Sequence, residues 1–165
     1  MIRTLVTFAV TLGIALPLAA AEAEVTATFV VDEASDAVIK WIEANPDALH
    51  KAAGLTILER NGKQVKVRKR TLRGLFIFTL AESKDTSDKG TKAITKLVKS
   101  HRGGIVEQYS EILVKSASDK AEIVITMRAK VEKQSVKKFH VKSDLKKSVK
   151  NIRKLLSKQF GKSDD

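Results

Sequence analysis

The chain lacks cysteine and is poor in histidine. None of its 165 residues is a cysteine, which excludes disulfides, thiolate nucleophiles and cysteine-type zinc sites, so stability must come from the core. The three histidines are His50, His101 and His140, and none has a second histidine or a carboxylate at ligand spacing on a shared element. The pattern therefore indicates no metal site and no cofactor.

Two motifs with known chemistry are also missing. No G-x-S-x-G sequence marks a nucleophile elbow, and Gly103-Gly104 lacks the lysine and serine of a phosphate-binding loop. The sequence therefore indicates neither a serine hydrolase nor a nucleotide-binding protein.

Acidic residues are outnumbered by basic ones. The chain has 19 Asp and Glu against 31 Lys and Arg, a formal net charge of +12. Such a charge favours anionic surfaces, such as nucleic acid, lipopolysaccharide, phospholipid headgroups or an acidic polymer. The alternative is a solvated surface that keeps the protein soluble. The lysines are scattered over many segments without a compact cluster or interleaved aromatics, which favours that alternative and argues against nucleic acid.

The first 21 residues have the pattern of a secretory signal peptide. Arg3 precedes an apolar run from Leu5 to Leu18, and small residues follow. We expect cleavage after Ala21 or Ala23, a mature domain over residues 22–161 and a disordered tail over 162–165. A retained membrane anchor is the alternative, but the apolar run is shorter than the roughly 20 residues that a span needs. Export without disulfides favours a bacterial periplasmic or secreted protein.

The C-terminal stretch Val141 to Phe160 predicts one long amphipathic helix, about 30 Å in length. Ser143 is a plausible N-cap with Asp144 in the first turn, and Gly161 ends the pattern. Its apolar residues recur at steps of three and four, so they share one stripe, while lysines occupy the other faces. The residues of that stripe are Leu145, Val149, Ile152, Leu156 and Phe160. A stripe of this length needs an equally long partner, which the strand-rich region before it offers.

The N-terminal part of the mature chain predicts a strand followed by two short helices. Val25 to Val31 alternates apolar and polar residues, as a half-buried strand does. A helix then opens near Ser35 with Val38 and Trp41 or Ile42 on its apolar face. Pro46 breaks it and begins a second helix that Gly54 ends.

The middle of the chain predicts strands and one more helix. Asn61-Gly62 favours a type I′ hairpin between Leu55–Arg60 and Lys63–Arg70. The remaining elements follow in order: a strand over Thr71–Glu82 with Leu72 on its apolar face, a loop over Ser83–Gly90, a short helix over Lys92–Ser100, and strands over Ile105–Lys115 and Ala121–Glu132.

This order resembles the START-like, or SRPBCC, superfamily, which includes polyketide cyclases and pollen allergens of the birch type. The resemblance covers about Glu24 to Phe160 and is carried by TATFVVDEASDAVIKWI, by LTILERNGKQVKVRK and by the terminal helix. It implies an α+β fold in which a curved antiparallel sheet wraps around the long C-terminal helix, the helix-grip fold. The chain departs from that pattern in its few aromatics and in the helix expected at Lys92–Ser100.

The resemblance further implies an apolar cavity that binds lipids, sterols, polyketides or similar molecules. The alternative is that the same side chains fill the space. The residues compatible with a ligand-binding lining are Phe29, Phe76, Phe78, Ile125, Met127, Leu145, Val149, Ile152 and Leu156.

Glu107, Tyr109, Glu111 and His101 are the only candidates for catalysis. The first three alternate along one strand and would bring two carboxylates and a phenol into the cavity if their face looked inward. In the alternative arrangement Gln108, with Ser110, Ile112 and Val114, faces inward, and the glutamates pair with lysines on neighbouring strands.

We therefore expect an exported, non-catalytic carrier of a hydrophobic or amphipathic small molecule. Two alternatives remain: a cyclase- or hydrolase-like enzyme on the same fold, and a basic protein that binds an anionic membrane surface or polymer. The sequence gives no indication of the oligomeric state.

Overall fold

The computed structural model describes residues 20–132 and 137–161, which form one curved seven-stranded sheet and three helices. All strand pairs are antiparallel, and the order across the sheet is β1-β7-β6-β5-β4-β3-β2. The elements are β1 (Ala21–Val31), α1 (Ser35–Ala44), α2 (Pro46–Ala52), β2 (Thr56–Asn61), β3 (Gln64–Thr71), β4 (Gly74–Ser87), β5 (Gly90–Arg102), β6 (Ile105–Ala117), β7 (Lys120–Val131) and α3 (Lys138–Phe160). This confirms the predicted helix-grip architecture.

The sheet has one dry face because its strands alternate apolar and polar side chains. In β7 every second residue from Ala121 to Val131 is buried, and the residues between them are partly exposed. β1 pairs with β7 over its whole length, from Ala21 opposite Val131 to Val31 opposite Ala121. The inward faces of these two strands form the floor on which α3 lies.

The helix predicted at Lys92–Ser100 is wrong, because this segment is the middle of β5. The polar segment Ser83–Gly90, predicted as a loop, mostly extends β4, and the reversal takes only Asp88 and Lys89. The spacing of Ile94, Leu97 and Val98 also suits a helix, but β5 pairs with a strand on each side. A ladder on both edges satisfies the backbone of a β-branched segment better than a short isolated helix could.

The turn between β2 and β3 lies one residue away from where it was expected. β2 and β3 do form a hairpin, but Asn61 pairs with Gln64 and the turn is Gly62-Lys63. Only Gly62 has a positive φ, of 56°, whereas a type I′ turn requires positive φ at both central residues, so the predicted turn type is wrong. Leu72, predicted on the apolar face of a strand, is fully exposed in the turn between β3 and β4.

α3 confirms the predicted apolar stripe and corrects the predicted start of the helix. It begins at Lys138 after Lys137, so Ser143 is not the N-cap, and Val141 adds one buried turn to the stripe. At its other end the Phe160 ring packs edge-on against Trp41 of α1, with ring centroids 5.7 Å apart. Gly161 follows with φ 76°, a conformation that favours glycine.

Most of the core lies between α3 and the β1–β7 end of the sheet. The buried α3 residues Leu145, Val149 and Leu156 lie over β1 and β7. α1 lies over β5, β6 and β7, and α2 contacts β2 at the other edge of the sheet and also α3. The two short helices therefore form a second helical layer on the inward face of the sheet, beside α3.

The predicted leader and tail fall largely on parts of the chain that the structure does not describe. Residues 1–19 and the tail 162–165 lie outside the described ranges. No helix within residues 20–132 and 137–161 is long and apolar enough to cross a membrane.

Candidate functional site

A cavity of about 360 Å³ lies between the two short helices and the sheet. Its helix side is mostly apolar, with Ile39 and Ile42 from α1 and Pro46 and Leu49 from α2, and it also carries Glu43 and His50. These helices face the cavity because their apolar positions recur at helical spacing around the break at Pro46. Pockets of a few hundred Å³ with this mostly apolar lining are typical of small-molecule sites.

The sheet side of the cavity is mixed in polarity. Leu80, Ala93, Ile112 and Val114 contribute apolar surface. Between them, inward-facing positions carry hydroxyl and amide side chains from β5 and β6, namely Thr91, Thr95, Gln108 and Ser110. The cavity therefore has one mostly apolar wall and one wall with several side chains that can form hydrogen bonds.

Two of the nine residues predicted to line a ligand site lie on the cavity wall, Met127 and Ile152. The other seven are buried in the core outside the cavity lining: Phe29, Phe76, Phe78, Ile125, Leu145, Val149 and Leu156. The cavity and the filled core, which the sequence left as alternatives, therefore coexist in different halves of the fold.

The sequence did not indicate the remaining cavity-lining residues, because some apolar residues of α1 and α2 face the core and others face the cavity. Val38 is fully buried in the core, whereas Ile39, one residue on, faces the cavity. The signal in the sequence was an apolar face of α1 that is wider than the Val38–Ile42 stripe needs.

A polar network joins α2 to the sheet at one side of the cavity. The Nε2 atom of buried His50 lies 2.6 Å from Oε1 of Glu82, and both residues line the cavity. Arg60 donates from Nη1 to Oε2 of Glu82 at 2.7 Å and from Nη2 to Oε1 at 3.0 Å. The same guanidinium donates from Nε to Oδ1 of Asp47 at 3.0 Å, so it links α2, β2 and β4.

Glu82 is held in its ionised form by this network. Burial alone would raise the pKa of Glu82, but the hydrogen bonds from His50 and Arg60 and the positive charge of Arg60 outweigh burial and lower that pKa from 4.5 to about 2. The pKa of Arg60 is raised, because its hydrogen bonds to Glu82 and Asp47 outweigh desolvation. An ionised carboxylate only accepts hydrogen bonds, so Nε2 of His50 carries the hydrogen it shares with Glu82.

Glu107, Tyr109 and Glu111 lie on the sheet face that points away from the cavity. Arg128 donates to Glu107 at 2.5 Å, Tyr109 donates to Glu111 at 2.5 Å, and Nζ of Lys92 lies 3.4 Å from Glu111. Burial and the adjacent Glu111 carboxylate raise the pKa of Tyr109 to about 12. The sheet therefore adopts the second of the two orientations considered above, with the glutamates paired to basic residues.

His101 is also distant from the cavity lining. It is exposed near the end of β5, where its Nε2 lies 2.9 Å from the hydroxyl of Thr79. The structure therefore does not bring His101, Glu107, Tyr109 and Glu111 together at the cavity.

A largely buried lysine lies beneath α3, outside the cavity lining. Lys69 of β3 donates to the Ser148 hydroxyl at 3.2 Å, and that hydroxyl lies 2.8 Å from the carbonyl oxygen of Ala53. Desolvation lowers the pKa of Lys69, with Lys147 adding to the effect and Asp144 opposing it. This contact fastens α3 to α2 and β3.

Within residues 20–132 and 137–161, no group of three or more histidine, aspartate or glutamate side chains could hold a metal ion.

The fold is that of START superfamily proteins, as comparison with solved structures shows. A START superfamily protein from Mycobacterium smegmatis superposes with a TM-score of 0.62 at 15% identity, over 83% of this chain and 96% of that one. The Zhui aromatase/cyclase from Streptomyces sp. R1128 gives 0.52 at 15% identity, over 83% and 93%. Major latex-like protein 151 from Panax ginseng gives 0.53 at 11% identity, over 82% and 97%.

No family model matches the chain, and no curated protein matches it significantly. The similarity therefore concerns the fold, and the function has to be inferred from the cavity.

Proposed function

We propose that the protein binds and carries a hydrophobic or lipid-like small molecule in the cavity between α1, α2 and the sheet. The observation that carries this proposal is the cavity of about 360 Å³ with its apolar helix wall. An empty space of this size within a domain of this length costs stability unless a ligand or water fills it. Neighbours with the same fold support the proposal, since one is an aromatase/cyclase and thus acts on a small organic molecule.

The ligand would enter beside α1. A shallower depression of about 680 Å³ lies between the start of α1 and the β4–β5 turn, and it shares Ile39, Thr91 and Val114 with the cavity lining. A molecule in the depression therefore has a direct path inward past Ile39. This path leaves the packed α3 core undisturbed.

We also propose that the carrier works outside the cytoplasm, at an anionic envelope surface. The signal-peptide pattern of residues 1–21 supports export, and the net charge of +12 supports attraction to anionic lipid or polymer. Binding of this kind weakens steeply as salt is added, whereas apolar ligand binding does not.

Native mass spectrometry of the purified protein, followed by solvent extraction, tests the carrier proposal. We expect a co-purifying apolar molecule at near-stoichiometric occupancy, or its uptake from a lipid extract. Ile39→Trp should reduce that occupancy by filling the entrance, while Val98→Trp on the exposed outer surface should leave it unchanged. A clean unliganded mass with no uptake from the extract would overturn the proposal.

The second candidate is a cyclase- or hydrolase-like enzyme, which the position of His50 favours. With Nε2 donating to Glu82, the Nδ1 atom of His50 is the ring nitrogen able to accept a proton from a bound molecule. Prolonged incubation with the extracted molecule distinguishes the two functions. A change in the mass of the bound molecule that His50→Gln abolishes would establish the enzyme, and an unchanged molecule supports the carrier.

A further inference from the structure

The sheet wall of the cavity carries a row of polar side chains that crosses three strands. Glu82 of β4 pairs with Thr95 of β5, and Thr95 pairs with Ser110 of β6. Side chains paired across antiparallel strands lie about 4.5–5.5 Å apart. Gln108 lies two residues before Ser110 on the same strand and the same face, so β6 contributes two polar side chains to the row.

Three members of this row have no hydrogen-bond partner among the residues that the structure describes. The side chains of Thr95, Gln108 and Ser110 form no hydrogen bond to any residue in the described ranges 20–132 and 137–161, and all three line the cavity. Every fully buried side-chain nitrogen or oxygen among the described residues has a hydrogen-bond partner, so the unpartnered polar atoms of these three side chains are not fully buried. Their polar atoms are therefore open to whatever fills the cavity.

Unpaired polar side chains on the cavity wall lower the affinity for a ligand unless the ligand is itself polar where it meets them. Polar groups desolvated by a purely hydrocarbon ligand lose their water without gaining a new partner. The opposite wall is mostly apolar, with Ile42 and Leu49, and its two polar side chains, Glu43 and His50, are already paired with Lys84 and Glu82. A ligand that suits both walls is apolar on one side and carries oxygen on the other.

The ionised group within this row disfavours an acid. Of the three lysines that also line the cavity, Lys84 and Lys92 form ion pairs with Glu43 and Glu111, and Lys63 is exposed. Glu82 is the next side chain in the row after Thr95, and it is ionised. Its two oxygens already accept hydrogen bonds from His50 and Arg60. A carboxylate bound at Thr95 and Ser110 would lie near this negative charge at low dielectric, whereas a hydroxyl or carbonyl group would not be repelled.

We propose that Thr95, Gln108 and Ser110 form the part of the cavity that recognises a neutral oxygen group, a hydroxyl or carbonyl, on an otherwise apolar ligand. This inference rests on the carrier function proposed above and defines its ligand class. Thr95 and Ser110 hold the oxygen through their hydroxyls, and Gln108 can either donate to it or accept from it. The apolar body of the ligand then lies against α1 and α2.

Three compounds that share one apolar ring system test the proposal: naphthalene, 2-naphthol and 2-naphthoate. Calorimetric titration of the delipidated protein should give a dissociation constant for 2-naphthol about three- to tenfold below that for naphthalene, the contribution of one neutral hydrogen bond. The double variant Thr95→Val/Ser110→Ala should remove that difference and leave naphthalene binding as tight or tighter. Thr28→Val, on the exposed face of β1, is the matched control and should behave like the wild type.

The outcomes separate this inference from the carrier proposal. Equal affinity for naphthalene and 2-naphthol, or a preference that survives in the double variant, overturns the inference and leaves the carrier proposal standing. Tighter binding of 2-naphthoate also overturns it and identifies Lys63 at the cavity rim as an anion-binding residue. If no compound binds, the carrier proposal fails and this inference fails with it. Thermal unfolding checks the fold of each variant, and the single substitution Thr95→Val replaces the double variant if that one is unfolded.

Discussion

At the scale of single residues, His50, Arg60 and Glu82 show how a charged group is kept on the wall of an apolar cavity. Arg60 donates to the carboxylates of Glu82 and Asp47, and His50, which also lines the cavity, donates to Glu82. Removing Arg60 leaves the partly desolvated carboxylate of Glu82 without its ion-pair partner, which costs more than the pair itself contributes. The network also fixes the position of α2, which supplies half of the helix wall.

The acid sensitivity of folding should depend on Glu82. Its pKa is about 2 in the folded protein against 4.5 ordinarily, so the ionised group stabilises the fold above the ordinary value. That contribution is lost as the pH falls from about 5 to about 2. Glu82→Gln should lower the free energy of unfolding at pH 7 by about 1–2 kcal/mol, after allowance for solvent screening, and should flatten the dependence on pH between 5 and 2.

Urea unfolding at several pH values measures this effect. Glu59→Gln is the matched control, because Glu59 is an exposed glutamate on β2, the strand of Arg60, and has no ion pair among the described residues. An acid profile of Glu82→Gln that coincides with that of the wild type would contradict the assigned role of Glu82.

At the scale of elements, the β4–β5 hairpin was the least predictable part of the fold. Local spacing in Lys92–Ser100 satisfies a helix and a strand alike, and nothing within that segment shows that β4 and β6 lie on either side of it. The tight reversal through Asp88 and Lys89 ends at Gly90, whose φ is 121°. Few residues other than glycine tolerate that conformation.

Gly90→Ala should destabilise the protein more than Gly54→Ala does. Both glycines have positive φ, so each substitution carries a backbone cost of about 1–2 kcal/mol. A Cβ at Gly90 would also overlap the carbonyl oxygen of Val114 on β6, whereas a Cβ at Gly54 would meet nothing nearby. Denaturant midpoints compare the two variants directly, and equal losses of stability would show that the β5–β6 contact yields without cost.

At the scale of the whole molecule, the sheet is covered by two helical layers, α3 and the pair α1 and α2, with different roles. α3 covers β1 and β7 with a densely filled core, and α1 and α2 cover the neighbouring strands across a cavity. The dense half supplies the stability that a protein without disulfides needs. The other half can then remain open to a ligand.

Export should leave a protein that begins at the start of β1. β1 begins at Ala21, and Ala23 is buried opposite Ala129. Cleavage after Ala21 keeps the Ala23–Ala129 pair, whereas cleavage after Ala23 removes it and should lower the melting temperature. Expression of the full chain in a bacterium, with intact mass measured on the periplasmic fraction, should show the loss of residues 1–21. Recovery of the uncleaved chain in the cytoplasm would count against export.

The sequence alone determined the features that depend on local periodicity. The stripe of Leu145, Val149, Ile152 and Leu156, the break at Pro46 and the alternation within β7 each follow from one segment and the spacing of its apolar residues. Together they were sufficient for the element order, apart from β5, and for the helix-grip fold.

Only the tertiary structure decided which of these apolar residues enclose an empty space. Phe78 and Met127 both lie on the inward face of the sheet, yet one is packed in the core and the other borders the cavity. His50 and Glu82 are 32 residues apart in sequence and meet only because α2 lies over β4. Periodicity fixes the face on which a side chain lies, whereas cavity volume and long-range contacts depend on how far apart the packed elements come to rest.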